Sequence, residues 1–160
     1  MSPAEPHAAC SQPTPPARGW PGSVAALTAL LLGLGALYFA TAPGTVDGDG
    51  IGYLRLSNRH GLVPGHLAYL PLLRLLGRFV PHGALLELVP VFRTVSIGAA
   101  LVALWLFWAT ARRLYPARAA LFATALLGSC HAFARSAAEI EVYSLATACA
   151  VATLWALVRC

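Results

Sequence analysis

Carboxylates gather at two points of this 160-residue chain, because Asp47 with Asp49 and Glu139 with Glu141 account for four of its six acidic residues. Each pair lies beside a long apolar stretch. A carboxylate at such a boundary can act as a general base towards a hydroxyl or as part of a metal site, and the glycines that flank Asp49 leave room for a substrate. A solvated Asp-Gly turn is the structural alternative for the first pair.

The second acidic pair is predicted to divide. Residues two apart on a helix point to nearly opposite sides, so Glu139 and Glu141 are not expected to act as a dyad. His131, Arg135 and Glu139 recur every four residues, which predicts one polar stripe and an Arg135–Glu139 ion pair. Ionisable groups at this depth are functional candidates, and charges that cap helix ends at an interface are the structural alternative.

Cationic and imidazole side chains form another set of candidates. Four arginines make two i,i+4 pairs, Arg55 with Arg59 and Arg74 with Arg78. This spacing is typical of helices that lie in a membrane interface with their guanidinium groups at headgroup level. His66 is either a ligand or a residue of an amphipathic surface, and Arg93 is either a snorkelling anchor or a phosphate contact.

The elements that must position these residues are apolar helices. Hydrophobic residues make up 58% of the chain, charged residues 11%, and the mean hydropathy is +0.68. This composition indicates an all-α, multi-pass integral membrane protein. Four spans are predicted, over residues 24–42, 94–111, 119–134 and 142–158. A cleaved signal peptide is the alternative for the first span, because Ala40-Thr41-Ala42 fits a cleavage site.

Around these spans the sequence predicts two regions. Residues 1–22 are rich in Pro, Ala and Ser and are predicted to be a disordered cytoplasmic tail. Residues 23–160 form one transmembrane domain, in which 43–93 is the first extracytoplasmic loop. Within it, residues 43–52 are too rich in glycine for a helix, and two prolines divide the following stretch into two short interfacial helices. The chain stops directly after an apolar segment, so we expect a fragment or an unusually short protein.

Orientation is predicted from the arginines. Arg112, Arg113 and Arg118 crowd a short turn, which marks the cytoplasmic side, places the N-terminus in the cytoplasm, and puts both acidic pairs on the opposite face. Five arginines within 43–93 favour the reverse orientation, unless they lie on interfacial helices. We therefore expect a multi-pass protein of a bacterial inner membrane or the endoplasmic reticulum. The arginines form no basic stripe, so nucleic acid is not an expected partner.

The cysteines carry no recognisable chemistry. The chain has four, without the paired spacing of a metal or redox site. Cys130 and Cys149 lie inside apolar runs and are predicted to be small packing residues. No metal ligand is assigned from the sequence.

Three short motifs and one arginine follow one another in a defined order. They are Asp47-Gly48-Asp49-Gly50 after the first span, His66 and Pro71 followed by Leu75-Leu76-Gly77, Arg93 at the head of the second span, and Glu141-Val142-Tyr143-Ser144-Leu145. This order resembles the N-terminal part of the GT-C membrane glycosyltransferases, especially the transmembrane protein O-mannosyltransferase-like family. The resemblance covers residues 24–158. The chain lacks that family's glutamate after Asp49 and its His-Pro-Pro-Gly core.

The resemblance implies an enzyme that moves a sugar from a polyprenyl-phosphate donor to a protein or lipid hydroxyl at the extracytoplasmic face. Asp49, with Asp47 as the alternative, would be the base that deprotonates the acceptor. Substrate binding would fall to Arg93, Arg55 and Arg59 at the phosphate, and to His66, Glu141 and Tyr143 around the sugar or acceptor. A divalent cation could accompany the donor. The implied partners are membrane lipid, the lipid-linked donor and the acceptor.

Two other function classes stay open on the sequence. One is a non-catalytic membrane scaffold or subunit, and the other is a small transporter component whose path is lined by the His131 stripe. Transport predicts polar groups through the depth of the membrane, whereas catalysis predicts them at one face. The absence of charge from residues 94–111 and 142–158 favours catalysis. Because the family has ten or more spans, a fragment or an inactive relative is also expected.

Overall fold

The computed structural model describes residues 22–46, 48–57, 69–78, 88–140 and 142–159. Within these ranges the regular structure is helical, which confirms the predicted all-α class. The helices are α1 (Ser23–Thr41), α2 (Gly48–Ser57), α3 (Tyr69–Gly77), α4 (Val89–Leu114), α5 (Ala117–Ser129), α6 (His131–Ala138) and α7 (Tyr143–Arg159).

Two helices in the described ranges are long and apolar enough to cross a membrane by themselves. They are α1, with 19 residues, and α4, with 26 residues. Helix α4 begins five residues before the predicted second span, so Arg93 lies in its second turn and not at its start. Pro90 is compatible with this earlier start, because a backbone N–H in the first turn has no partner within the helix.

The third predicted span is not one straight helix. Cys130 has an extended backbone conformation that ends α5 and begins α6, and the axes of the two helices differ by 63°. Taken together, α5 and α6 are long enough for a third crossing, whereas α7 has 17 residues and is shorter than α1 and α4. Residues 119–134, the predicted third span, are therefore divided between two helices at Cys130.

Helix α4 forms the centre of the bundle and packs most extensively against α7. These two helices are parallel: Phe92 near the start of α4 shares an apolar cluster with the first turns of α7, and the Arg113 Nη1 donates to the Val158 carbonyl near both C-termini, at 3.2 Å. Helix α1 is antiparallel to α4, because Leu27 packs with Trp108 whereas Tyr38 packs with Ile97.

This arrangement gives the bundle two ends. We call the end where α1 finishes, α4 starts and α6 leads into α7 the loop end. The opposite end, where α4 and α7 finish and α5 starts, carries Arg112, Arg113, Arg118 and Arg159, and we call it the basic end. The connection from α1 to α2 and the connection from α6 to α7 therefore lie at the same end of the bundle.

Helices α2 and α3 pack on the loop end. Two short helices were predicted here, but α2 includes Gly48, Gly50 and Gly52, which the sequence assigned to a loop. Burial of Tyr53 against Tyr69, with ring centroids 5.2 Å apart in an edge-to-face arrangement, offsets the poor helix propensity of glycine. Pro71 was expected to break the chain and instead lies in the first turn of α3, where proline is tolerated.

The arginine of α3 points inward. Arg74 is half-buried, and its Nη2 donates to the carbonyl of Leu56 in α2 at 3.2 Å. The i,i+4 spacing predicted a guanidinium at headgroup level, and in the structure the Arg74 guanidinium bonds to a backbone carbonyl of the neighbouring helix. Its contact joins α3 to α2, so the two short helices form one unit on the end of the bundle.

Candidate functional site

An aromatic and aliphatic cluster holds the loop end together. Its buried members come from α2, α3, α4 and the α6–α7 connection, and they are Tyr53, Tyr69, Leu70, Leu73, Phe92 and Ile140. Burial of large apolar side chains stabilises such a contact by roughly 1.5–3 kcal/mol each. The backbone of α2, which includes Asp49 as its second residue, is thereby fixed at the start of α4.

Arg93 ties the end of α1 to α4. Its Nη2 donates to the Pro43 carbonyl at 2.7 Å, across the gap between the two helices. Its Nε is buried and makes no hydrogen bond within the part of the chain that the structure describes. A guanidinium has five N–H donors in a fixed fork. Arg93 therefore has a structural contact on one side and a buried donor that an anionic ligand could satisfy.

A groove opens beside Pro43, between the end of α1 and the α5–α6 bend. Its volume is about 490 Å³, and we call it the α1–α6 groove. Its lining residues are Leu37, Thr41, Pro43, Ser129, His131, Ala134, Arg135, Ala138 and Glu139. Aliphatic and proline side chains form much of the wall, while the imidazole and two charged groups line one side. This mixture suits an amphipathic ligand.

The predicted ion pair on that wall is confirmed. The Nε of Arg135 lies 2.8 Å from the Oε1 of Glu139, and the side chains are 65% and 13% exposed, respectively. An exposed i,i+4 pair of this kind contributes only about 0.3–0.5 kcal/mol to stability. Its more important effect is local, because it places a cation and an anion side by side in the groove.

The bend in α5–α6 determines the shape of the groove. The last carbonyls of a helix have no partner within it, and one of them, that of Gly128, accepts a 2.6 Å hydrogen bond from the Tyr38 hydroxyl of α1. A Cβ atom at Gly128 would lie 2.5 Å from the Leu34 Cδ1. Close packing of α1 against a residue without a side chain therefore holds the bend in place.

The residues proposed from the sequence are only partly brought together. Arg93 approaches the α1–α6 groove through Pro43, whereas Arg55 is exposed on α2 and Tyr143 is 59% exposed at the start of α7. None of Arg55, Arg93 and Tyr143 lines the groove itself. Four further candidates, and the predicted tail apart from Gly22, lie outside the described residues. These candidates are Asp47, Arg59, His66 and Glu141.

The motif that begins α7 has a structural role at its serine. Ser144 is buried, and its hydroxyl donates to the carbonyl of Ser136 in α6 at 2.9 Å. This contact fixes the angle between α6 and α7 close to the groove. The sequence singled out Ser144 only as a member of the Glu141–Leu145 motif and did not indicate this bond.

Other residues of the site were not predicted. Thr41, Pro43 and Ser129 line the groove, and the run Gly128-Ser129-Cys130 inside an apolar stretch is the sequence signal that could have indicated a break. Cys130 and Cys149 are exposed thiols, not packing residues as predicted. Among the described ranges, no group of three or more His, Cys, Asp or Glu side chains could hold a metal ion.

No family model matches this chain, and no curated protein or solved structure matches it either. The groove, Arg93 and the order of the sequence motifs are therefore the features from which a function is inferred.

Proposed function

We propose that the protein is a membrane glycosyltransferase, or a fragment of one, that transfers a sugar from a polyprenyl-phosphate donor to a protein or lipid hydroxyl at the extracytoplasmic face. One observation carries the proposal. The α1–α6 groove combines apolar walls with the Arg135–Glu139 pair, and it opens at the same end of the bundle as Arg93 and the α1–α2 connection. A donor with a prenyl chain, a phosphate and a sugar needs this combination of surfaces.

The proposed topology has four crossings, with α5 and α6 together forming a broken third span. The directions of the helices support it, because α1 is antiparallel to α4 and α7 is parallel to α4, as alternating crossings require. Helix α7 is roughly 26 Å long at a rise of ~1.5 Å per residue, so it covers most of a ~30 Å hydrocarbon core. The basic end then faces the cytoplasm together with the N-terminus.

The chemistry would be a direct displacement at the anomeric carbon. The acceptor oxygen forms the new glycosidic bond while the bond from the anomeric carbon to the phosphate oxygen breaks. The Asp49 carboxylate, or that of Asp47, takes the proton of the acceptor hydroxyl. The polyprenyl phosphate leaves with the bonding electrons, and the buried Nε–H of Arg93 is suited to stabilise its charge.

The groove gives this scheme a route for the donor. In the proposed topology the loop end lies at the membrane surface, so a prenyl chain can remain in the bilayer while its phosphate reaches the polar wall of the groove. Arg135 and His131 would meet the phosphate there. His66, Glu141 and Tyr143 would shape the space for the sugar or acceptor, and Arg55 and Arg59 would contribute positive charge nearby.

The test is sugar transfer in membranes that contain the full protein. Polyprenyl-phosphate mannose labelled in the sugar is the donor, and endogenous membrane proteins and lipids are the acceptors. Asp49→Asn or Asp47→Asn is expected to lower transfer by at least about 100-fold, because the amide cannot accept the proton. Cys149→Ser, on the exposed surface of α7, is the control and is expected to retain activity.

Two results would contradict the proposal at different levels. Full activity in both Asn variants would remove the assignment of the base while leaving the transferase intact. No transfer by the unmodified protein with any polyprenyl-phosphate sugar would instead favour a non-catalytic membrane subunit.

A further inference from the structure

A second groove lies between α1 and α5, nearer to the basic end along the face of α1 that also lines the α1–α6 groove. It has a volume of about 420 Å³, and we call it the α1–α5 groove. Its lining residues are Leu30, Leu121, Phe122 and Ala125, together with Arg118. The adjoining surface is strongly apolar, since Phe122 is 66% exposed and Leu126 is 56% exposed. In the proposed topology, this surface faces the acyl chains of the bilayer.

Arg118 gives the α1–α5 groove a polar head. It is the second residue of α5 and therefore lies at the basic end, whereas Leu121, Phe122 and Ala125 lie one and two turns further along the same helix. A cationic group at the end of an apolar channel is complementary to a phospholipid, in which an anionic phosphate is followed by two acyl chains.

The surroundings of Arg118 are strongly positive. Arg112 stacks on the Trp108 ring at 4.9 Å, Arg159 stacks on the Trp155 ring at 5.0 Å, and Arg113 donates to the Val158 carbonyl. Of the acidic residues that fall in the described ranges, Asp49 and Glu139 both belong to elements at the loop end. The arginines at the basic end therefore attract an anionic headgroup.

We infer that the α1–α5 groove binds an anionic glycerophospholipid, with its phosphate on Arg118 and one acyl chain along Leu121, Phe122 and Ala125. The arginine supplies charge-assisted hydrogen bonds to the phosphate. The apolar walls of the groove contact part of one acyl chain. The phosphate of the lipid-linked sugar donor is not the group on Arg118, because the charged wall of the donor groove lies at the opposite end of the bundle. The lipid site therefore stands whether or not the protein transfers a sugar.

The experiment measures lipid binding to the purified full chain in detergent. Phosphatidylglycerol and phosphatidylcholine with the same acyl chains are titrated in parallel, and the unfolding midpoint and the number of lipids retained in native mass spectrometry are recorded. Phosphatidylglycerol is expected to raise the midpoint and to be retained at one molecule per chain, more strongly than phosphatidylcholine. Inorganic phosphate is the third titrant and is expected to have no effect at equal concentration.

Two variants separate the headgroup contact from the acyl contact. Arg118→Gln removes the charge, and Ala125→Leu fills the channel while Arg118 remains in place. Each is expected to weaken binding of phosphatidylglycerol by about tenfold, which corresponds to the loss of one charged hydrogen bond or a comparable apolar contact. Arg78→Gln is the matched control, because Arg78 is an exposed arginine at the end of α3 on the loop end.

The contrary outcomes are equally specific. Equal affinity for both phospholipids, or unchanged binding in Arg118→Gln, would overturn the headgroup contact. Unchanged binding in Ala125→Leu would overturn the acyl contact, and an equal effect of inorganic phosphate would show a site for a free anion. Because none of these measurements uses a sugar donor, their failure is distinct from failure of the proposed transferase.

Discussion

The hydroxyl of Tyr38 lies 2.6 Å from the carbonyl oxygen of Gly128, and it joins α1 to the last turn of α5 across 90 residues of sequence. The bond occupies an acceptor that the break at Cys130 deprives of a helical partner. It also holds the last turn of α5 against α1, next to Ser129 in the wall of the α1–α6 groove. The contact therefore connects the stability of the bundle to the shape of the candidate site.

Removal of the Tyr38 hydroxyl is expected to destabilise the protein. Tyr38→Phe leaves the buried Gly128 carbonyl without a donor, which costs about 1–3 kcal/mol in the free energy of unfolding. Denaturant unfolding in detergent micelles measures the loss. Tyr115→Phe is the control, because Tyr115 is exposed at the basic end and its change is expected to have little effect. Equal losses in the two variants would contradict the role of the Tyr38 bond.

Substitution by alanine is expected to change the free energy of unfolding in opposite directions at two glycines on packed helices. At Gly128 a Cβ would approach the Leu34 Cδ1 to 2.5 Å and the Leu104 Cδ1 to 3.1 Å, so Gly128→Ala is expected to cost about 1–3 kcal/mol by overpacking. At Gly33 nothing lies within 4 Å, so Gly33→Ala is expected to stabilise α1 by about 0.5–1 kcal/mol. Thermal unfolding of both variants is the measurement. A higher unfolding temperature for Gly128→Ala would contradict the overpacking, because it would show that α1 and α5 separate easily there.

Substitution of Arg93 is expected to affect transfer more than stability. Arg93→Gln loses the bond to the Pro43 carbonyl, at about 1–2 kcal/mol, and also the cationic donor proposed for the phosphate. Transfer is expected to fall by about 100-fold or more at a temperature where the variant is folded. Arg112→Gln makes the same change at the basic end and is expected to leave transfer intact. A loss of activity that only follows the folded fraction would assign Arg93 a purely structural role.

The Arg135–Glu139 pair is expected to contribute little to stability. A double-mutant cycle with Arg135→Gln and Glu139→Gln should give a coupling energy of about 0.3–0.5 kcal/mol, because the guanidinium is mostly exposed. Salt is expected to reduce this value further. The measurement is equilibrium unfolding at two salt concentrations. A coupling above about 2 kcal/mol would mean that the pair is effectively buried in the membrane.

The proposed topology can be tested with two exposed tyrosines. Tyr115 lies at the basic end and Tyr143 at the loop end, and both are 59% exposed. With the native cysteines replaced, Tyr143→Cys is expected to react with a membrane-impermeant maleimide in intact bacterial cells, whereas Tyr115→Cys should react only after the cells are broken. The reverse pattern would invert the orientation, and labelling of both in intact cells would contradict the four crossings.

The sequence predicted those features that depend on local composition. Helices α1 and α4 follow from apolar runs, and the Arg135–Glu139 pair follows from its i,i+4 spacing. The break at Cys130 was missed although Gly128-Ser129-Cys130 interrupts the apolar run, because the Tyr38 hydroxyl that holds the bend lies in α1 and no local pattern connects the two. For the same reason the first half of α2, residues 48–52, was assigned to a loop, since its helical form depends on the burial of Tyr53.

The candidate site stays a prediction, and the sequence and the structure contribute different residues to it. The motifs indicated one end of the bundle, and the α1–α6 groove opens there. The groove itself requires Thr41, Pro43 and Ser129, whose side chains meet only after α1 packs against the bend. Asp49, the predicted base, is the second residue of α2. Its role as the base stays a prediction that the transfer assay tests.

The parallel packing of α4 and α7 has a consequence for biogenesis. In the proposed topology, α4 inserts early in translation, but its principal partner leaves the ribosome only after the intervening α5–α6 segment has crossed back. Until then, the surface of α4 that contacts α7 is covered by lipid or by the insertion machinery. Assembly of the bundle is therefore a late event, which follows the insertion of α7.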